Sequence, residues 1–207
     1  MGLKDVEALR SFCLELSSDQ PSPGGGSASA AAGAMSASLM IMVCGVTAKS
    51  KKHINHWPEL NDLKNDLVKI RESLISLSEQ DAAAYDMVST ASRKRKEADT
   101  EENQKEFQKS LRVATEIPAR TAAECCGLLE KSVLVADLQT KSAWSDTFVA
   151  VMLAEAAFGG ASANVEINLA HIIDPDFVRS TREDIRDQTA KMKVFVKDSL
   201  TKLRRPA

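Results

Sequence analysis

The stretch Pro21-Ser-Pro-Gly-Gly-Gly-Ser27-Ala-Ser-Ala-Ala-Ala-Gly-Ala-Met-Ser-Ala37 decides how this sequence is read. Two prolines stiffen the approach, while three glycines permit positive φ angles and leave no side chain over the start of the next segment. The small-residue run behind them stays apolar to about residue 48 and shows no strand-like alternation. It predicts a helix with Ser27 as its N-cap, running to about Lys52 and apolar on nearly every side, as a central helix surrounded by others would be. Residues 28–48 are nearly long enough to span a bilayer. Ser29, Gly33, Ser36, Ser38, Gly45 and the dense alanines make them less greasy than a spanning helix, and no basic n-region accompanies Met1. The expectation is a helix buried in protein.

Outward from that helix the pattern remains helical. Leu3, Val6, Leu9, Cys13 and Leu16 recur at three- and four-residue steps, predicting an amphipathic helix over about 3–17. Pro58 suits the first turn of a helix carrying Leu60, Leu63, Leu67, Ile70, Leu74 and Leu77 toward Ser92. The polar run 93–104 reads as a solvated tip or connection, after which Phe107, Leu111, Ala114 and Ile117 resume the period and Pro118 predicts a kink or restart. Residues 137–142 read as a connection. A further helix reaches Phe158, where Gly159-Gly160 permit a break or close helix packing, and helical spacing resumes to Ile173. Asp174-Pro175 marks a sharp boundary before a last amphipathic helix over about 176–204. The fold class is therefore all-α, a multihelical bundle with long antiparallel helices, in one domain over 1–207.

Composition narrows the function classes. A chain of 207 residues buries roughly 70% of the surface it exposes when unfolded, so a core forms without staples. With 27 basic and 29 acidic residues, the net charge of -2 supplies no field for nucleic acid or an anionic membrane. Cys13, Cys44, Cys125 and Cys126 follow no secretory segment and are expected as reduced thiols in a cytoplasmic protein. His53 and His56 have helical metal-pair spacing, but Pro58 comes next and no third ligand is near. Adjacent cysteines point in different directions on a helix, and no Ser-His-Asp order stands out, so neither a metal nor a hydrolase triad is expected.

The glycine turn can hold an anion or a ligand edge on backbone N–H groups, yet no Gly-Lys-Ser/Thr follows it and no strand precedes it, which excludes a phosphate loop. Asp81, among Ala82, Ala83 and Ala84, is a carboxylate whose pKa partial desolvation would raise. Capping or solvation is its plain alternative, as it is for Asp146 beside Ser145. Asn164 and Asn168 are four apart and share a helix face, where paired amides suit a heterocycle edge, a bound water or interhelical bonding. Glu166 lies on another face. Lys49, Lys51 and Lys52 come after the small-residue helix, and Arg93 to Lys96 form a second basic run explained by a polar tip.

In combination these residues say more. Pro23-Gly-Gly-Gly-Ser-Ala-Ser-Ala30, Met42-Val43, Thr47-Ala-Lys49, Asp81-Ala-Ala-Ala-Tyr85, Pro118, Ser145-Asp146 and Phe158-Gly-Gly-Ala-Ser-Ala-Asn164-Val-Glu-Ile-Asn168 occur in order along nearly the whole chain. Together they resemble the cyclodeaminase/cyclohydrolase family of folate enzymes. The resemblance implies a multihelical homodimer with a folate cleft beside the glycine turn and reaction at the carbon bridging N5 and N10 of tetrahydrofolate. No counterpart of a formiminotransferase half is present, which favours a stand-alone methenyltetrahydrofolate cyclohydrolase needing no cofactor.

Hydrolysis of that cationic carbon needs a positioned water, a proton acceptor and polar groups around it. Asp81 and Asp146 are the expected catalytic pair. Gly24, Gly25, Gly26, Ser27, Lys49, Asn164 and Asn168 are expected to bind the folate, with a lysine on a tail carboxylate. Two alternatives stay open: ring closure of 5-formiminotetrahydrofolate with loss of ammonia, and a helical bundle that binds without catalysis.

Overall fold

The computed structural model describes residues 4–203, all helix, turn or irregular, with no strand among them. These residues form six α-helices in order: α1 (Lys4–Leu16), α2 (Gly25–Ala48), α3 (Trp57–Glu97), α4 (Glu101–Leu138), α5 (Trp144–Leu169) and α6 (Pro175–Lys202). Short 3₁₀ turns, Lys51–His56 and Lys141–Ala143, precede α3 and α5.

The glycine turn joins α2 differently from expectation. The helix begins at Gly25 and Gly24 stands at its N-cap, so Ser27 lies inside the first turn and caps nothing. No described glycine has a positive φ. Lack of a side chain, rather than backbone freedom, is what this turn requires. The helix ends at Ala48, four residues short of the expectation, where a 3₁₀ turn takes over and the Trp57 indole N–H donates to the Ala48 carbonyl.

Helix α2 packs on α3, α4 and α5. Small residues allow the approach: a Cβ on Gly33 would stand 3.0 Å from Cys125 Sγ and 3.1 Å from Leu74 Cδ1. Ser29 faces Gly160, the Ser36 hydroxyl donates to the Ala150 carbonyl (2.7 Å), and Thr47 Oγ1 accepts from Thr140 N–H, so numbering rises along α2 as it falls along α5. The outer face of α2 is nonetheless bare. Met35, Met42 and Val46 are exposed, as are Phe148 and Val149 of α5, which corrects the expectation of a helix surrounded on every side. Both helices are long and apolar enough to cross a membrane by length and composition, and each buries one face in this fold.

Of three expected breaks, one is shorter than read and two are absent. The polar run 93–104 is the end of α3, a turn at 98–100 and the start of α4. Thr100 caps α4 by accepting from Asn103 N–H (3.2 Å), Asn103 Nδ2 donates to the Ala98 carbonyl (2.7 Å), and Lys94 pairs with Glu106 (2.9 Å). The connection is there but short, and the rest of the charged run is solvated helix surface. Helix α4 continues through Pro118 without restarting, and α5 continues through Gly159-Gly160. A Cβ on Gly160 would overlap Ser29 Oγ, so this glycine serves helix crossing. The boundary at Asp174 stands as read: its carboxylate caps α6 by accepting from Asp176 N–H (3.0 Å) and Phe177 N–H (3.1 Å).

Candidate active site

The first turn of α2 is stitched to α3 from both sides. The Ser27 hydroxyl, itself buried, donates to Asp81 Oδ2 (3.0 Å) with the Ser78 carbonyl as its other acceptor (3.1 Å), and the Ser78 hydroxyl donates to the Ser27 carbonyl (3.0 Å). Gly26 makes this possible. A Cβ there would stand 2.5 Å from Asp81 Cγ and 2.6 Å from Oδ2, a space only a glycine leaves open. Asp81 is half-buried, and burial pushes its pKa above the ordinary 3.8, against the opposing pull of hydrogen bonds from the Ser27 hydroxyl and backbone. A carboxylate meeting the positive end of α2 would otherwise be an easy anion; desolvation outweighs that.

Asp81 opens onto a cavity of about 570 Å³, within the roughly 300–1,000 Å³ common for small-molecule sites. Gly24, Gly25 and Gly26 form one wall and Asn164 and Asn168 of α5 another. Asn164 Nδ2 donates to the Gly160 carbonyl (2.8 Å), and Asn168 Nδ2 to the Ala114 carbonyl of α4 (2.7 Å). Glu166 turns away to pair with Arg182 (3.1 Å).

Along α3 the cavity is lined by Asp81, Ala84, Tyr85, Val88, Ser92, Arg95 and Lys96, all on one helical face. Arg95 and Lys96 lie about 21 Å from Asp81 at 1.5 Å per residue. The Arg95 guanidinium sits 4.1 Å above the Phe107 ring, which also lines the cavity. The polar-tip reading missed these two cations; the spacing 81, 85, 88, 92, 95 was the signal that held them. His171 reaches the rim, its loop held by Gln108, which donates to the His171 carbonyl and accepts from Ile173 N–H (both 3.0 Å).

Two expected residues lie elsewhere. Lys49 is the C-cap of α2, about 36 Å along the axis from Gly25, and borders a separate cavity near Met42 and Lys64. Asp146 is in the first turn of α5, about 27 Å from Asn164. Within one chain neither reaches Asp81, because helix length sets them at the opposite end. Among the described residues no three His, Cys, Asp or Glu side chains gather as metal ligands. Burial raises the Cys44 thiol to about 11 and Cys125 to about 12, leaving both unreactive.

The sequence that builds this cavity has known relatives. The family described as formiminotransferase-cyclodeaminase matches residues 8–187. The chain belongs to that family. A methenyltetrahydrofolate cyclohydrolase of Methylorubrum extorquens is 29% identical over 187 residues, covering 89% of this chain and 90% of the relative. The crystal structure of a formiminotetrahydrofolate cyclodeaminase from Thermotoga maritima superposes with a TM-score of 0.87 at 28% identity over 94% of each chain. The fold and family inferred from the ordered motifs are thus those of the folate cyclohydrolases and cyclodeaminases.

Proposed function

We propose that this chain adds water to 5,10-methenyltetrahydrofolate, giving 10-formyltetrahydrofolate, with Asp81 as the catalytic base. The observation carrying this reading is a half-buried carboxylate, its pKa raised by desolvation, set in a cavity between a glycine wall and two amides. The bridging carbon of the substrate shares a positive charge with N5 and N10. A carboxylate beside it stabilises that charge and takes a proton as water attacks. Cleavage of the carbon–N5 bond leaves the formyl group on N10. One of the two protons of water ends on N5, and the other departs through Asp81, balancing the lost positive charge.

Gly24, Gly25 and Gly26 let the ring approach backbone, the buried Ser27 acts only through its bond to Asp81, and Asn164 and Asn168 hold the ring edge. The anionic glutamate tail extends along α3 to Arg95 and Lys96, the former held in place over Phe107. Lys49 and Asp146 enter this scheme only if a second copy carries them to the cavity, and the scheme works without them. The bare apolar faces of α2 and α5 support a homodimer; in this reading each copy is a single-domain, antiparallel bundle that works in the cytoplasm without metal or cofactor.

The test is the rate at which methenyl absorbance is lost with purified protein. A rate equal to that of buffer, from a folded sample, removes the hydrolase reading. The Thermotoga maritima relative supports a second one, cyclodeamination of 5-formiminotetrahydrofolate. Ammonia release from that compound, without methenyl hydrolysis, selects it.

A further inference from the structure

Pro118 is buried in the interior of α4 and does not interrupt it. Such a proline has no N–H for the carbonyl four residues earlier, so the Ala114 carbonyl is left without its helical partner. That carbonyl lies on the cavity wall, and Asn168 reaches across from α5 to donate to it. Any other residue at 118 would bring an N–H that competes for the same acceptor. Asn164, one turn earlier on the same face, donates to the Gly160 carbonyl of its own helix. Because a carbonyl oxygen only accepts, the nitrogen end of each amide is fixed by its partner's chemistry. That fixes the oxygen end too: among the described residues neither Oδ1 accepts a bond from protein, and both side chains line the cavity.

We propose that Pro118 is a positioning residue: by vacating the Ala114 carbonyl it locks the Asn168 amide, so that Asn164 and Asn168 offer a fixed pair of acceptor oxygens to a ligand edge rich in N–H donors. This rests on the folate reading of the cavity and sharpens it. The matching edge is the amino-substituted pyrimidinone side of the pterin, whose ring N–H and exocyclic amine both donate. Asp81, placed on α3, is left for the reacting carbon.

The test compares the parent with Pro118→Ala, Asn168→Ala and the double variant, using tetrahydrofolate and its 2-desamino-2-methyl analogue in calorimetric titrations, and methenyltetrahydrofolate for turnover. Alanine restores a helical N–H at 118, so P118A is expected to unfold at the parent temperature or above it. It should bind tetrahydrofolate about tenfold more weakly, with a matching rise in KM and a much smaller change in kcat. The parent should discriminate against the desamino analogue by about tenfold. N168A and P118A should each lose that discrimination, and the double variant should be no worse than N168A, since both act through one hydrogen bond. Parent-like affinity in P118A, or equal binding of the two ligands by the parent, overturns the proposal. A parent that binds tetrahydrofolate but turns over nothing removes the reaction assigned above, and the affinity ratios still decide this point. A parent that binds neither ligand removes both.

Discussion

Replacing Gly26 by alanine puts a methyl group into space that Asp81 occupies. The new Cβ would stand 2.5 Å from Asp81 Cγ, where ordinary contact begins at 3.4 Å, so the carboxylate must move by about 1 Å. Rotation about χ1 can deliver that shift, at the expense of the bond from Ser27. A hydrogen bond to a charged group contributes about 1.5–3 kcal/mol, with a partly exposed carboxylate at the lower end. Alanine in a helix recovers about 1 kcal/mol against glycine, and φ at this position is not positive. The net loss of stability is then about 1 kcal/mol or less, which lowers Tm by under about 4 °C in a chain of this size. Activity should suffer far more, because a reacting group misplaced by about 1 Å forfeits on the order of 100-fold in rate. Thermal unfolding and the decay of methenyl absorbance, measured on the same sample, separate the two effects. Parent-like turnover in G26A would refute the argument that the glycine exists to seat Asp81.

Asp81→Asn should keep the fold, since the amide oxygen still accepts from Ser27, and lower kcat by about 10²- to 10⁴-fold. Its stability effect has a defined sign: the raised pKa means the folded state holds its proton more tightly, so the parent loses stability as pH rises above 3.8, and D81N gains on it there but not below. For the parent, the acid limb of the kcat profile should be shifted upward from the ordinary aspartate value and vanish in D81N. Arg95→Ala with Lys96→Ala should raise KM about tenfold for a triglutamate substrate and much less for a form lacking the glutamate, leaving kcat largely in place; equal KM changes for both forms would sink the tail assignment. Met42→Glu with Val149→Glu should shift the protein from dimer to monomer in sedimentation, and an unaltered dimer would move the interface elsewhere.

Helix count and the core stripes were legible in the sequence because a 3.6-residue apolar period states them directly, as Leu60, Leu63, Leu67, Leu74 and Leu77 do by being buried as read. Helix continuity was not. Pro118 and Gly159-Gly160 look like breaks when judged by propensity, and they are tolerated because residues more than 50 positions away, Asn168 for the Ala114 carbonyl and Ser29 against Gly160, supply what the local chain lacks. The same non-locality governed the site. Motif order placed Asp81, the glycines and the asparagines together, but the same order also carried Lys49 and Asp146, because it ranks motifs along the chain and says nothing of distance in space. A straight helix of 24 residues carries its two ends about 36 Å apart, and no local pattern reports that. Arg95 was overlooked because its neighbours are charged and solvated, although its position is set from Asp81 by whole helical turns.

The meeting of Ser29 and Gly160 has a consequence for how this chain varies. At that crossing two positions, 131 residues apart in the chain, share room for one small side chain, and Ser29 fills it while donating to the Gly25 carbonyl (2.7 Å). Volume can pass from one helix to the other but cannot grow. A relative with alanine or serine at 160 should therefore carry glycine or alanine at 29, and chimaeras that mix α2 of one parent with α5 of another should fail where that sum is exceeded.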